Sequence, residues 1–205
     1  GGRLVMSELF RLISISLVLI FVENTVFTRA IDTSTLISVS RNRKNIFGFG
    51  LCAVYFSVVT GFLGFFADKF LLESDIKNEQ AYIYQPFVYV AILGIVYIIT
   101  LLILWKFFNK KFLKIKKFIH LSALNCAILG AMFLNSQNCT MLSEYIFRGV
   151  GTGLGFMFAI YITAIVYDRL HDASVPYCFR GYPLTLIYIG IISMAFYGLA
   201  STTVR

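Results

Sequence analysis

Residues 86–107 read PFVYVAILGIVYIITLLILWKF, an apolar run near the ~20 residues that a helix needs to cross a bilayer. Comparable runs fall at about Leu9–Thr28, Ile46–Ala67, Ile119–Leu134, Tyr145–Tyr167 and Pro183–Ser201. With Pro86–Phe107 they predict an all-α integral membrane protein of six segments. Composition points the same way. The chain is 59% hydrophobic and only 14% charged, against roughly 25% charged in a soluble domain, and its mean hydropathy is +0.81. Gly1 to Val5 precede Met6, which reads as the native start. The run Leu9–Val22 is apolar enough for a signal peptide, yet Glu23 and Asn24 follow it in place of a small-residue cleavage pattern, so it is expected to stay as the first helix.

The net charge of +8 is gathered between the apolar runs. Arg41, Arg43 and Lys44 form one cluster, and Lys106, Lys110, Lys111, Lys114, Lys116 and Lys117 another, whereas Asp68, Glu73, Asp75 and Glu79 make the second loop mixed and acidic. Such clusters act as topology signals, and no soluble platform carries them as a nucleic-acid face, so no nucleic-acid partner is expected. The positive-inside rule places loops one, three and five in the cytoplasm and both termini outside; Arg169 and Arg180 support this, while Arg3 and Arg11 oppose it mildly. Cys52, Cys126, Cys139 and Cys178 show no CxxC spacing, so no local zinc or redox pair is encoded. On this topology Cys139 and Cys178 lie on opposite sides and cannot pair. The Asn138-Cys139-Thr140 sequon reads as accidental.

The chain reads as a single membrane domain, 1–205, in two related halves, about 6–107 and 118–205. Ile46-Phe47-Gly48-Phe49-Gly50 opens the second segment, and Phe147-Arg148-Gly149-Val150-Gly151 opens the fifth; both lead into aromatic-rich helices ending near Asp68 and Asp168. Three segments per half is odd, so the halves insert in opposite orientation, and sites in such inverted repeats lie at the repeat interface near the midplane. Gly149, Gly151, Gly153 and Gly155 interleave two GxxxG patterns, which predict close helix packing in lipid rather than a dinucleotide loop. Gly61, Gly64 and Gly94 read as close-packing or flexible points within helices.

The first segment is interrupted by Glu23, Asn24, Arg29 and Asp32, with Thr33, Ser34, Thr35, Ser38 and Ser40 following. Polar residues at membrane depth face a protein interior or a water-lined cavity, so a broken or re-entrant segment is expected. Its counterpart is the fourth segment, interrupted by Asn125, Gly130 and Asn135 around Cys126. Two readings of the first break stay open. Arg29 and Asp32, three apart, could neutralise each other on one helix face, or Glu23, Asn24, Arg29, Asp32, Ser34 and Asn125 could line a polar or ion path. Taken alone, Cys126 reads as a small buried hydrophobe.

Asn125-Cys126-Ala127-Ile128-Leu129-Gly130 with Leu134-Asn135, the glycine-rich stretch Gly149–Phe156, and Phe179-Arg180-Gly181-Tyr182-Pro183 leading to Gly190 and Ser193-Met194-Ala195-Phe196 resemble the Rnf and Nqr membrane-subunit family. The last stretch looks like its A-type rather than its E-type members. The resemblance runs from Met6 through nearly the whole chain and includes Val22, Asn24, Val26, Arg29 and Val39-Ser40. It implies a six-helix inverted-repeat subunit paired with a homologous E-type sister and with other subunits of an Rnf-type complex in the cell membrane of a bacterium or archaeon. In that family two cysteines from each sister hold a [2Fe-2S] cluster that relays electrons between ferredoxin-side and flavin-carrying subunits while Na⁺ or H⁺ is moved. Cys126 falls on the second family cysteine. The first is replaced by Ser34, its proline by Thr35, and the flanking glycines by Asp32 and Ser38, which implies a remodelled loop and a cluster that is weakened, altered or absent. Glu23 stands where the family usually has Asn.

Three functions follow as expectations: an electron-transfer subunit using Cys126 with partner thiols; a non-redox relative whose polar residues line an ion or small-solute path; and a scaffold subunit packed through its glycines. His120 and His171 read as solvated or interfacial, and the chain alone is not expected to catalyse a reaction.

Overall fold

Helices α4 (Ile46–Glu73), α5 (Asn78–Phe107) and α9 (Tyr182–Thr203) have no polar side along most of their length, and such helices are stable only inside lipid or a large core. A computed structural model describes residues 2–41, 46–73, 78–107, 112–123, 125–170, 172 and 176–203. Among these the chain is entirely helical: α1 (Gly2–Phe21), α2 (Thr25–Arg29), α3 (Thr33–Ser40), then α4 and α5, α6 (Phe112–Ala123), α7 (Cys126–Asn138), α8 (Leu142–Leu170) and α9. Arg43, Lys44, Asp75, Lys110, Lys111 and His171 lie outside the described residues.

Among the described residues five stretches are long and apolar enough to span a membrane: Ile46–Leu71, Ile83–Lys106, Phe118–Asn138, Leu142–Tyr167 and Tyr182–Ser201. The multi-pass architecture is therefore as expected. The first segment is the exception to a simple count of six, because α1, α2 and α3 divide it into three pieces. The fourth is divided between α6 and α7, ahead of Cys126, whereas Gly130 and Asn135 lie inside α7 without interrupting it.

The centre of the bundle is the seam between α4 and α8. From Gly61 against Tyr145, through Ser57 against Gly149 and Val54 against Gly153, to Gly50 against Met157, numbers fall on α4 as they rise on α8, so the two helices run antiparallel. A β-carbon on Gly149 would stand 2.8 Å from the Ser57 carbonyl oxygen, and one on Gly153 would stand 2.6 Å from the Val54 Cα. Gly151 and Gly155 face α1 instead, where a β-carbon would stand 3.0 Å from the carbonyl oxygens of Ser16 and Leu19 respectively. The two interleaved GxxxG patterns thus serve two different neighbours. Contacts of Arg11 with Glu144 and of Ser16 with Phe147 show α1 running parallel to α8. Phe49, Phe156, Ala159 and Ile160 fill the core next to the seam, joined by Val26, Phe27 and Leu36 from the broken segment and Ala127 from α7. The spanning part of α8 is 56% buried and that of α9 only 11%, so α9 offers most of its surface to lipid or to other chains.

Candidate functional site

Each break in the bundle is closed by an asparagine. Asn24 caps α2, its Oδ1 accepting the Val26 N–H at 3.1 Å, and Asn125 caps α7, its Oδ1 accepting the Ala127 N–H at 2.7 Å. Capping satisfies an orphan donor at a helix start, a necessity where no water reaches the backbone. Both asparagines are completely buried. Their amide nitrogens differ. Asn24 Nδ2 donates to the carbonyls of Gly155 at 2.7 Å and Ile20 at 3.1 Å, so the first break is fastened to α8 at one of its close-packed glycines. Asn125 Nδ2 finds no partner among the described residues.

The two breaks meet. A β-carbon on Gly130 of α7 would stand 3.0 Å from the Ile31 Cδ1, and Val26 and Ala127 share one core. Cys126, the first residue of α7, is exposed beside this junction, and Ser34 is exposed in the first turn of α3. Both side chains therefore face outward from the chain. The polar residues expected to line one path divide: Asn24 and Asn125 are buried and Asp32 partly buried, while Glu23 and Arg29 are exposed. Arg29 does not neutralise Asp32: no ion pair joins the two, whereas Arg11 pairs with Glu8 and with Glu144. Instead Asp32 Oδ1 accepts the Thr35 hydroxyl at 2.6 Å, and its Oδ2 is buried without a partner.

The loop between α2 and α3 keeps a left-handed turn that its side chains do not favour. Ala30 has φ 53° and Asp32 φ 63°. For a residue with a β-carbon that region costs roughly 1–2 kcal/mol. Ala30→Gly is therefore expected to stabilise the folded chain by about 1 kcal/mol, glycine's larger unfolded-state entropy offsetting part of the gain, read as a raised midpoint of unfolding in detergent. An unchanged or lowered midpoint would show that the loop carries no such strain.

The remaining cysteines stand apart from the junction. Cys52 is half-buried on α4, Cys139 is buried just after α7, Cys178 is exposed in the turn before α9, and all are unpaired. No group of three or more His, Cys, Asp or Glu side chains converges among the described residues. His120 is partly buried, and its Nδ1 meets the Tyr97 hydroxyl.

Sequence reasoning missed a polar cluster at the far end of α4. Asp68, expected in an acidic loop, lies inside α4 and is 9% exposed. Its Oδ1 accepts the Tyr89 hydroxyl and the Gln85 Nε2 at 3.3 Å, and its Oδ2 accepts the Tyr145 hydroxyl at 2.7 Å. Gln85 also donates to the Tyr89 oxygen at 2.7 Å. One carboxylate so joins α4, α5 and α8. The spacing of Gln85 and Tyr89, one turn apart on α5, was the only local sign of it.

Comparison with known proteins follows the same lines. The chain is 27% identical over 92% of its length, and 96% of the relative's, to the A-type subunit of the Na(+)-translocating ferredoxin:NAD(+) oxidoreductase complex of Acetobacterium woodii. It is 27% identical over 86% of its length, and 90% of the relative's, to the A-type subunit of an ion-translocating oxidoreductase complex of Pasteurella multocida. It is 28% identical over 90% of its length, and 95% of the relative's, to the E-type subunit of the Na(+)-translocating NADH-quinone reductase of Saccharophagus degradans. The Rnf-Nqr subunit family, described as membrane protein, matches residues 12–203, and the chain belongs to it.

Proposed function

We propose that the chain is a membrane subunit of an ion-translocating electron-transport complex of the Rnf type, in the cell membrane of a bacterium or archaeon, with both termini outside. The observation that carries this reading is the meeting of two asparagine-capped breaks with Cys126 exposed at the start of α7. An outward-facing thiol at the first residue of a helix is placed for sharing with a second chain. The two halves, about 6–107 and 118–205, act as inverted repeats, and the partner is a homologous sister of the E type. The names of the relatives, each belonging to a translocating oxidoreductase complex, support membership of such an assembly.

A [2Fe-2S] cluster taking two thiolates from this chain does not fit its side chains. Beside Cys126 the second position is Ser34, whose hydroxyl is a harder and far less acidic ligand, and the other cysteines lie on α4, after α7 and before α9. Cys126 is the one soft ligand the chain brings to a shared centre. Anaerobic purification with partner subunits and iron quantification tests this. Ser34→Cys is expected to raise the iron retained through gel filtration several-fold, and adding Cys126→Ser is expected to remove the gain. Iron unaffected by either change would take both positions out of the electron-transfer role, and failure to copurify with flavin-binding or ferredoxin-like subunits would overturn the subunit reading itself.

One observation favours a second reading, a non-redox ion or small-solute path: the buried, unpartnered Asp32 Oδ2. Ion flux into vesicles that is lost in Asp32→Asn, in an iron-free preparation, would select it.

A further inference from the structure

The sides of α4 differ in how tightly they are covered. Against α8 the cover is close, a β-carbon on Gly153 standing 2.6 Å from the Val54 Cα, whereas toward α5 and α6 it is open. Val54 is one wall of a crevice of about 510 Å³ between α4, α5 and α6, floored by Phe56 and Ile119. Its volume lies within the roughly 300–1,000 Å³ of small-ligand sites. Leu51 (62% exposed), Tyr55 (45%) and Ile103 (50%) at its rim open it sideways, on helices that cross the membrane.

The wall asks for an apolar occupant. Its hydroxyls are already engaged: Thr100 donates to the Val96 carbonyl at 2.7 Å, leaving its oxygen to accept from Tyr55 at 3.4 Å. The mouth asks for an anionic one. Ile103 and Leu104 are followed at once by Trp105, 60% exposed, and by exposed Lys106, and Ile119 on α6 follows Lys116 by less than a turn. The same α5–α6 junction carries Lys110, Lys111, Lys114 and Lys117 in sequence. An interfacial tryptophan beside a polybasic run marks the depth at which phospholipid headgroups lie.

We propose that this crevice holds an acyl chain of an anionic phospholipid whose phosphate is bound by Lys106 at the end of α5 and Lys116 on α6. Charge complementarity selects the headgroup and the dry wall selects the chain, and neither depends on the electron-transport reading.

Trp105 is the only tryptophan in the sequence and stands at the mouth, so its fluorescence reports occupancy. The full chain is reconstituted in vesicles containing equal fractions of brominated phosphatidylglycerol or brominated phosphatidylcholine, the bromines on the acyl chains. Quenching by the phosphatidylglycerol is expected to report binding at least about threefold tighter, the size of effect that one or two interfacial lysines give. Lys106→Gln with Lys116→Gln is expected to abolish the preference, and Leu104→Phe, which narrows the crevice, to weaken quenching by both lipids. Equal quenching by the two lipids, a preference that survives removal of the lysines, or quenching indifferent to Leu104→Phe would each overturn the proposal. So would the absence of quenching by either lipid, the outcome if a protein helix fills the crevice.

Discussion

Gly153→Leu is expected to abolish the folded bundle, and this is the largest effect of a single substitution that the seam predicts. The added β-carbon would stand 2.6 Å from the Cα of Val54, with the Val54 side chain at 3.1 Å, so the obstacle is backbone that no rotamer change can move aside. Helices in lipid gain little from burying apolar surface against each other, because the tails around them are equally apolar, and their association depends on close packing. Pushing α4 from α8 therefore loses contact without compensation, and the cost is about 3 kcal/mol or more, at the upper end for overpacking. Gly190→Leu on α9 is the control, since nothing lies within 4 Å of a β-carbon there, and it should leave stability unchanged within about 0.5 kcal/mol. Unfolding by denaturing detergent, followed by helicity or protease resistance, reads both. Equal midpoints for the two variants would show that the α4–α8 seam is not the close contact described.

That seam was legible because its signals are local. Four glycines at alternate positions on one helix mark two close-approach faces regardless of what lies opposite, and apolar length alone marks the spans. The breaks were legible for a similar reason, since Asn24 and Asn125 interrupt hydrophobic runs where an uncapped backbone would be costly. What could not be read was the backbone turn between α2 and α3 and the partners supplied from far along the chain. Arg29 and Asp32, close in sequence, invite an ion pair, yet a left-handed turn separates the end of α2 from the start of α3, and Asp32 bonds Thr35 instead. His120 follows a lysine run, and nothing near it in sequence announces its contact with the Tyr97 hydroxyl of α5. Cys126 shows both sides: its place at the start of a half-helix follows from Asn125, whereas its exposure could not be read from one sequence.

Asp68 is the strongest case of a long-range partner, and it carries the second large effect. Asp68→Ala is expected to destabilise the chain by about 3 kcal/mol, because it strands the hydroxyls of Tyr89 and Tyr145, which are 0% and 3% exposed, and a buried donor without a partner costs about 1–3 kcal/mol. Asp68→Asn should lie between, since an amide keeps one acceptor oxygen but its NH₂ cannot accept the second hydroxyl. A merely local packing role predicts otherwise. If the cost arises from stranded donors, removing them should relieve it: Asp68→Ala combined with Tyr89→Phe and Tyr145→Phe is expected to be more stable than Asp68→Ala alone, although each phenylalanine substitution by itself weakens a chain that retains the carboxylate. The sign reversal of the tyrosine effect is the diagnostic, because additive behaviour is the rule for residues that do not interact. Should both Tyr→Phe changes stay destabilising in the alanine background, the carboxylate is not what holds α4, α5 and α8 together, and the joint must rest instead on ring packing, such as that of Tyr89 on Phe133 and of Tyr145 on Phe65.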